Sequence, residues 1–191
     1  MSSRLAPIPY DEWDFEALAE ISPGIKPPEL SVVAFFAHHP DLAKAFLSWN
    51  RYVNSRRSTL PRPVREIAIL RVAWRRRSRY EWAQHLRIAR RAGVDEGTIA
   101  TIRSGERAGF PGLVIAAVDE ITDGSAVSDS TYASLAAELS ERQLIDLVFL
   151  IGTYSLLSAA FNTFRVELDP GLDASDMDTR GFDSSKHDQK G

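Results

Sequence analysis

From Ser31 to Phe164 the chain is punctuated by residues that start and stop helices, while strand signals are scarce, which confines it to an all-α fold. Asp11 can cap a short amphipathic segment reaching Ile21, broken by Pro23-Gly24. Ser31 opens an apolar segment over 32–37 that stops at His38-His39-Pro40, and Pro40 suits the first turn of a helix running through Phe46 and Tyr52. Leu60-Pro61-Arg62-Pro63 is a rigid connector, and Pro63 starts a helix that carries Ile67, Leu70 and Trp74. Ser78 caps the next helix, which ends at Ala92-Gly93. Further helices run from Asp95 to near Gly105, from Pro111 to Asp123, and over 129–139 behind Ser128. Ser140 and Gln143 form a capping-box pattern ahead of a long apolar helix that reaches about Phe164.

These elements predict a helical bundle in one domain, residues 1–168. After Asp169-Pro170-Gly171 the chain is rich in Asp and Ser and poor in large apolar residues, so 169–191 is expected to be a polar, disordered tail. The run over 144–161 approaches the length of a membrane span. Asp146, Gly152, Thr153, Ser155 and Ser158 interrupt it, however, and polar groups are costly in lipid, so a core helix at a subunit interface fits better and no membrane is expected. The start of the chain has no apolar signal core, which points to the cytoplasm.

The sequence has no cysteine, which removes disulfides, thiolate metal sites and thiol nucleophiles. A formal net charge of −3 argues against a nucleic-acid partner. Arginine is nonetheless clustered: Arg71, Arg75, Arg76, Arg77, Arg79, Arg87, Arg90 and Arg91 lie close together, most to be solvated or paired and one or two able to hold an anion.

Three residues are placed for chemistry. Glu66 shares a helix face with Ile69, Leu70 and Ala73, an unusual setting for a carboxylate that calls for a raised pKa or a cationic partner such as Arg65 or Arg71. Glu81 and His85 are one helical turn apart, and Ser78 falls on the same side one turn earlier. A carboxylate beside an imidazole can fix its tautomer and tune it toward neutrality, as general acid–base chemistry requires. Taken singly, each of these is more often a structural ion pair than a catalytic group. A metal site built from Glu66, Glu81 and His85 would be a mixed oxygen–nitrogen one. The spacing is neither Glu-x-x-His nor His-Glu-x-x-His, and no metal is expected.

Several segments together resemble the carboxymuconolactone decarboxylase-like superfamily, which also contains the AhpD-type alkylhydroperoxidases. They are His38-His39-Pro40, the stretch LPRPVREIAILRVA over 60–73, Tyr80-Glu81-Trp82-Ala83-Gln84-His85, Ala92-Gly93-Val94, and 154–164. The peroxidase branch of that superfamily carries a glutamate, eleven residues, then Cys-x-x-Cys-x-x-x-His. Here the same frame reads Glu66, eleven residues, Ser78-x-x-Glu81-x-x-x-His85. Serine and glutamate cannot form a sulfenic acid, so the resemblance implies a member without peroxidase activity.

What the resemblance implies instead is a cofactor-independent acid–base lyase of aromatic catabolism: a decarboxylase, isomerase or dehydratase for a small lactone or carbonyl acid. In that reading His85 is the proton donor, oriented by Glu81, and Glu66 tunes or relays the proton. Arg71 binds an anionic group of the substrate and Ser78 supplies a hydrogen bond. The family also implies an AhpD-like bundle assembled into trimers or hexamers. A non-catalytic ligand-binding or assembly protein that keeps the fold is the alternative.

Overall fold

The computed structural model describes residues 2–21 and 24–177. Among these residues the secondary structure is helical and no strand occurs. A short 3₁₀ turn at Tyr10–Glu12 precedes eight helices: α1 (Ser31–Ala37), α2 (Pro40–Asn54), α3 (Arg62–Arg75), α4 (Arg79–Arg91), α5 (Glu96–Ser104), α6 (Gly109–Gly124), α7 (Asp129–Glu138) and α8 (Glu141–Phe164).

The expected boundaries hold where local chemistry sets them. His39 Nδ1 accepts from the Leu42 amide at 3.2 Å with Pro40 in the first turn of α2, Asp95 caps Thr98 at 2.7 Å, and Ser140 and Gln143 form the capping box of α8. The amphipathic helix expected over 11–21 does not form. Asp14 caps Ala17 at 3.0 Å and the Trp13 indole donates to the Ile8 carbonyl at 3.1 Å, local bonds that hold a series of turns in place of a helix. Those turns still bury Trp13, Ala17 and Leu18. Pro23, expected to end that segment, lies outside the described residues.

Helix α3 is the axis of the bundle, packed by α4, α5, α6 and α8. Every residue from Val64 to Ala73 is buried, so it has no polar face and its Arg65, Glu66 and Arg71 must find partners inside the protein. The turn between α3 and α4 is a left-handed one. Arg77 has φ 52°, the Ser78 amide bonds the Ala73 carbonyl at 2.9 Å, and the Arg77 amide bonds Trp74 at 3.2 Å. This closure lays α4 back along α3 and sets Glu66 opposite His85.

Helix α8 is long and apolar enough to cross a membrane, and half of it is buried against the bundle. Leu147, Leu150, Ile151, Tyr154 and Phe161 form its inner face. Asp146, the carboxylate inside its apolar stretch, is used structurally, since it accepts from Tyr52 at 2.9 Å and from the amide and hydroxyl of Thr59 at 2.7 and 2.8 Å.

The domain does not stop at 168 as expected. Asp169 is buried and accepts from the Ser31 amide (2.7 Å), Tyr80 (2.8 Å) and Gln84 (2.7 Å). Asp176 accepts from the Trp82 indole at 2.9 Å and pairs with Arg103, while Ala174 and Met177 are buried. Composition signalled disorder, but buried donors on α1 and α4 need these carboxylates. The remainder of the expected tail, 178–191, lies outside the described residues.

Candidate functional site

Glu66 from α3 and Glu81 and His85 from α4 meet at the inner end of a cavity of about 510 Å³. His85 Nδ1 lies 2.8 Å from Glu66 Oε2, and its Nε2 lies 3.4 Å from Glu81 Oε2. The three residues are between 4% and 8% exposed, which makes these interactions ones of the protein interior. Glu66, and not Glu81, therefore makes the close hydrogen bond that orients the ring; the longer contact to Glu81 is an electrostatic one. This reverses the expected division of labour. The intrahelical spacing of Glu81 and His85 was visible in sequence, but the shorter bond comes from the neighbouring helix.

Tyr154 of α8 closes the third side. Its ring stands edge-on to His85, centroids 5.0 Å apart at 86°, and its hydroxyl donates to Asn54 Oδ1 at 2.9 Å. Val32, Phe36, Leu47, Ile88, Leu157 and Phe161 line the body of the cavity, and Glu20, Arg51 and Arg62 stand among its polar lining residues.

Burial acts on the two α4 groups in opposite ways. Desolvation pushes the Glu81 carboxyl up to about 7; the charge of Glu66 adds to that and His85 opposes it. Desolvation presses the His85 imidazole down, but the hydrogen bond and charge of Glu66, with the charge of Glu81, outweigh it and hold its pKa above the ordinary value. Protonation of Nε2 and of Glu81 is thus one coupled equilibrium. A buried pair of this kind can deliver a proton to a carbon or oxygen in the cavity and take one back.

Two expected site residues lie elsewhere. Arg71 does not line the cavity. Its guanidinium grips Asp119 of α6 through two bonds of 2.8 and 2.7 Å and donates to the Ile102 carbonyl at 2.6 Å. It packs so closely on Gly105 that a Cβ there would sit 2.6 Å from Nη2. A buried guanidinium needs a fixed carboxylate, and α6 supplies one. Ser78 is fully buried, its Oγ has no hydrogen-bond partner, and it heads α4 without a side-chain cap bond, so it does not reach the cavity either. Arg65, the other cation considered for Glu66, donates instead to the carbonyls of Ser55 (2.5 Å) and Val53 (3.4 Å). Arg87, Arg90 and Arg91 border a separate hollow of about 580 Å³ on the other side of α4, next to Arg103, Asp173 and Asp176.

The residues that sequence reasoning missed are Asn54, Tyr154, Arg62 and Asp169. Tyr154 stood within a segment that carried the family resemblance, and Arg62 lies one helical turn before Glu66. Asn54 and Asp169 gave no local signal. Among the described residues no group of three or more His, Asp or Glu side chains is arranged to hold a metal ion.

Residues 40–120 match the carboxymuconolactone decarboxylase family. No curated protein matches the sequence. Among solved structures, the chain is similar to an uncharacterised peroxidase-related protein with an alkylhydroperoxidase AhpD core from Ralstonia eutropha JMP134. The TM-score is 0.74 and the identity 14%, covering 88% of this chain and 93% of that one. It is also similar to a protein of unknown function from Agrobacterium tumefaciens assigned to AhpD-type antioxidant defence, with TM-score 0.63, 19% identity, and 71% and 95% covered. A debrominase bound to 2,3,4-tribromopyrrole is similar at TM-score 0.66 and 13% identity, with 89% and 94% covered. The helical architecture is thus the AhpD-like one, and the family match spans α2 to most of α6, with Glu66, Glu81 and His85 inside it.

Proposed function

We propose that this chain is an acid–base enzyme of the carboxymuconolactone decarboxylase-like type, acting without a cofactor on a small lactone or carbonyl acid in the cytoplasm. The observation that carries the reading is the chain Glu66–His85–Glu81 at the buried end of a largely apolar cavity, in a protein without a thiol. In a decarboxylation the bond from the ring carbon to the departing carboxylate breaks and CO₂ leaves. The electron pair moves toward the lactone carbonyl, and the Glu81–His85 pair donates the proton that forms the new C–H bond. Solvent then returns a proton to the pair. Glu66 holds the imidazole in place through Nδ1 and offsets its charge. Isomerisation or dehydration of the same class of substrate would use the same two groups.

The test is to incubate unsaturated lactone acids with the protein in deuterated water and follow carbon-bound deuterium by NMR. Deuterated product is expected, and Glu81→Gln should lower kcat by about 10²–10⁴-fold with the fold intact. Unchanged turnover in a folded His85→Ala variant would overturn the assignment. Without a thiol, no consumption of organic hydroperoxide is expected, and enzymatic consumption would contradict that part.

Ser78 favours a second reading, in which the protein binds a ligand or assembles without catalysing. A buried, unpartnered hydroxyl stands where the resembling peroxidases have a cysteine, as a spent redox position would. That reading predicts no turnover by wild type and a loss of stability or assembly in His85→Ala.

We further propose that the protein self-associates, as a trimer or hexamer, through α8. Ile145, Val148, Phe149 and Leu156 are 48–59% exposed on one side of that helix, beside Trp49 of α2, and form an apolar stripe that a second copy would cover.

A further inference from the structure

We propose that Arg62 is the anchor for a carboxylate on the ligand that fills this cavity. Arg62 occupies the first turn of α3, one turn ahead of Glu66 and on the same face, and it lines the cavity. Its side chain makes no hydrogen bond or ion pair to a described residue, whereas the other arginines around the site are engaged. Arg51 pairs with Glu20 at 2.9 Å, Arg65 holds two backbone carbonyls, and Arg71 grips Asp119. Arg62 is exposed, while Glu66, Glu81 and His85 are buried, so it marks the solvent end of the cavity and they mark its floor.

That polarity fixes how an anion enters. The floor, where the Glu66 and Glu81 carboxyls flank His85, offers a negative group no net positive charge, and the guanidinium at the other end attracts one in a geometry suited to a carboxylate. Between them the walls are apolar, formed by Phe36, Leu47, Ile88, Leu157 and Phe161. The occupant is therefore a small carboxylic acid with an apolar body, held by its carboxylate at Arg62 with its far edge toward Glu81. On the acid–base reading, the carboxylate held at Arg62 is a second acidic group that stays on the substrate, and the reacting carbon lies on the edge that faces the proton donor; the inference rests on that reading for its effect on turnover alone.

Anchoring also bears on protonation. The groups facing His85 are Glu66 and Arg62 on α3, Glu81 on α4 and Tyr154 on α8, with the Arg51–Glu20 pair across the cavity. Of these, the positive charge of Arg62 opposes the imidazolium. A carboxylate bound to Arg62 cancels that opposition, so ligand binding draws a proton onto the His85–Glu81 pair. Affinity then falls as pH rises past the point where the pair gives that proton up.

The experiment is calorimetric titration of the full-length protein with benzoate and with its neutral counterpart benzamide, on wild type, Arg62→Gln, Arg62→Lys and Glu81→Gln. Benzoate should bind wild type at least tenfold more tightly than benzamide. Arg62→Gln should weaken benzoate by roughly 10–100-fold with benzamide unchanged, and Arg62→Lys should recover part of the loss. The pH dependence of benzoate affinity should flatten in Arg62→Gln. Equal benzoate affinity in folded Arg62→Gln, or no saturable binding to wild type up to roughly 10 mM, overturns the proposal. Binding is read without turnover, so a lyase assay that fails while the Arg62 effect holds removes the catalytic reading and leaves the anchor. Lost turnover in Glu81→Gln with no Arg62 effect does the reverse.

Discussion

A carboxyl at 4% exposure beside another carboxyl is costly to ionise, and the charge of His85 offsets part of that cost for Glu81. Unfolded, it ionises near 4.5; folded, near 7. The stability associated with its neutral form is complete below about pH 4.5 and is lost as pH rises through 7. His85 acts in the same direction, since its raised pKa gives stability that is present below 6.5 and lost as pH rises through the higher folded value. Glu81→Gln should therefore gain on wild type as pH rises from 4.5 through 7, reaching a Tm advantage of roughly 4–8 °C at pH 8, read by thermal scans across pH. A Tm difference that does not vary with pH would contradict the assigned burial. Arg71 is the opposite kind of residue, a buried charge whose role is structural. Asp119→Ala should cost about 3–5 kcal/mol in urea unfolding, because it strips the guanidinium of its carboxylate, and leave benzoate affinity of the folded protein unchanged.

Helix ends carry two further expectations. Ser125 closes α6 with φ 65°, an exposed left-handed position where a side chain is unfavourable, so Ser125→Gly should stabilise by about 0.5–1 kcal/mol. In the first turn of the same helix, a Cβ at Gly112 would sit 2.3 Å from the Arg107 carbonyl carbon, closer than atoms can approach. Gly112→Ala should thus lower stability by about 1–3 kcal/mol, and chemical denaturation measures both. The caps at Ser128 and Ser140 were legible in sequence because each is a contact within three residues. The segment at 11–21 was misread for a related reason: its acidic side chains and Trp13 have backbone partners closer than a helix would supply.

Across the whole molecule, α3 runs through the centre and receives the site from both sides, with α4 giving Glu81 and His85 and α8 giving Tyr154. The outer face of α8 sets the assembly prediction. Phe149→Glu should reduce the mass measured by light scattering to that of one chain, 21.3 kDa, and an unchanged larger mass would place the interface elsewhere. Residues 169–177 belong to the same body, so Asp169→Ala should destabilise it by about 1–3 kcal/mol, leaving Tyr80, Gln84 and the Ser31 amide short of a buried acceptor. Helix periodicity, end caps and the spacing Glu66, Ser78, Glu81, His85 are short-range properties of the chain, and they determined the bundle and three residues of its cavity. Which carboxylate orients His85, which arginine of the cavity has no partner among the described residues, and whether residues 169–177 pack were decided by tertiary structure alone. Those depend on partners 19 to 138 residues away along the chain, brought together only when α3 is buried and its charges must be answered.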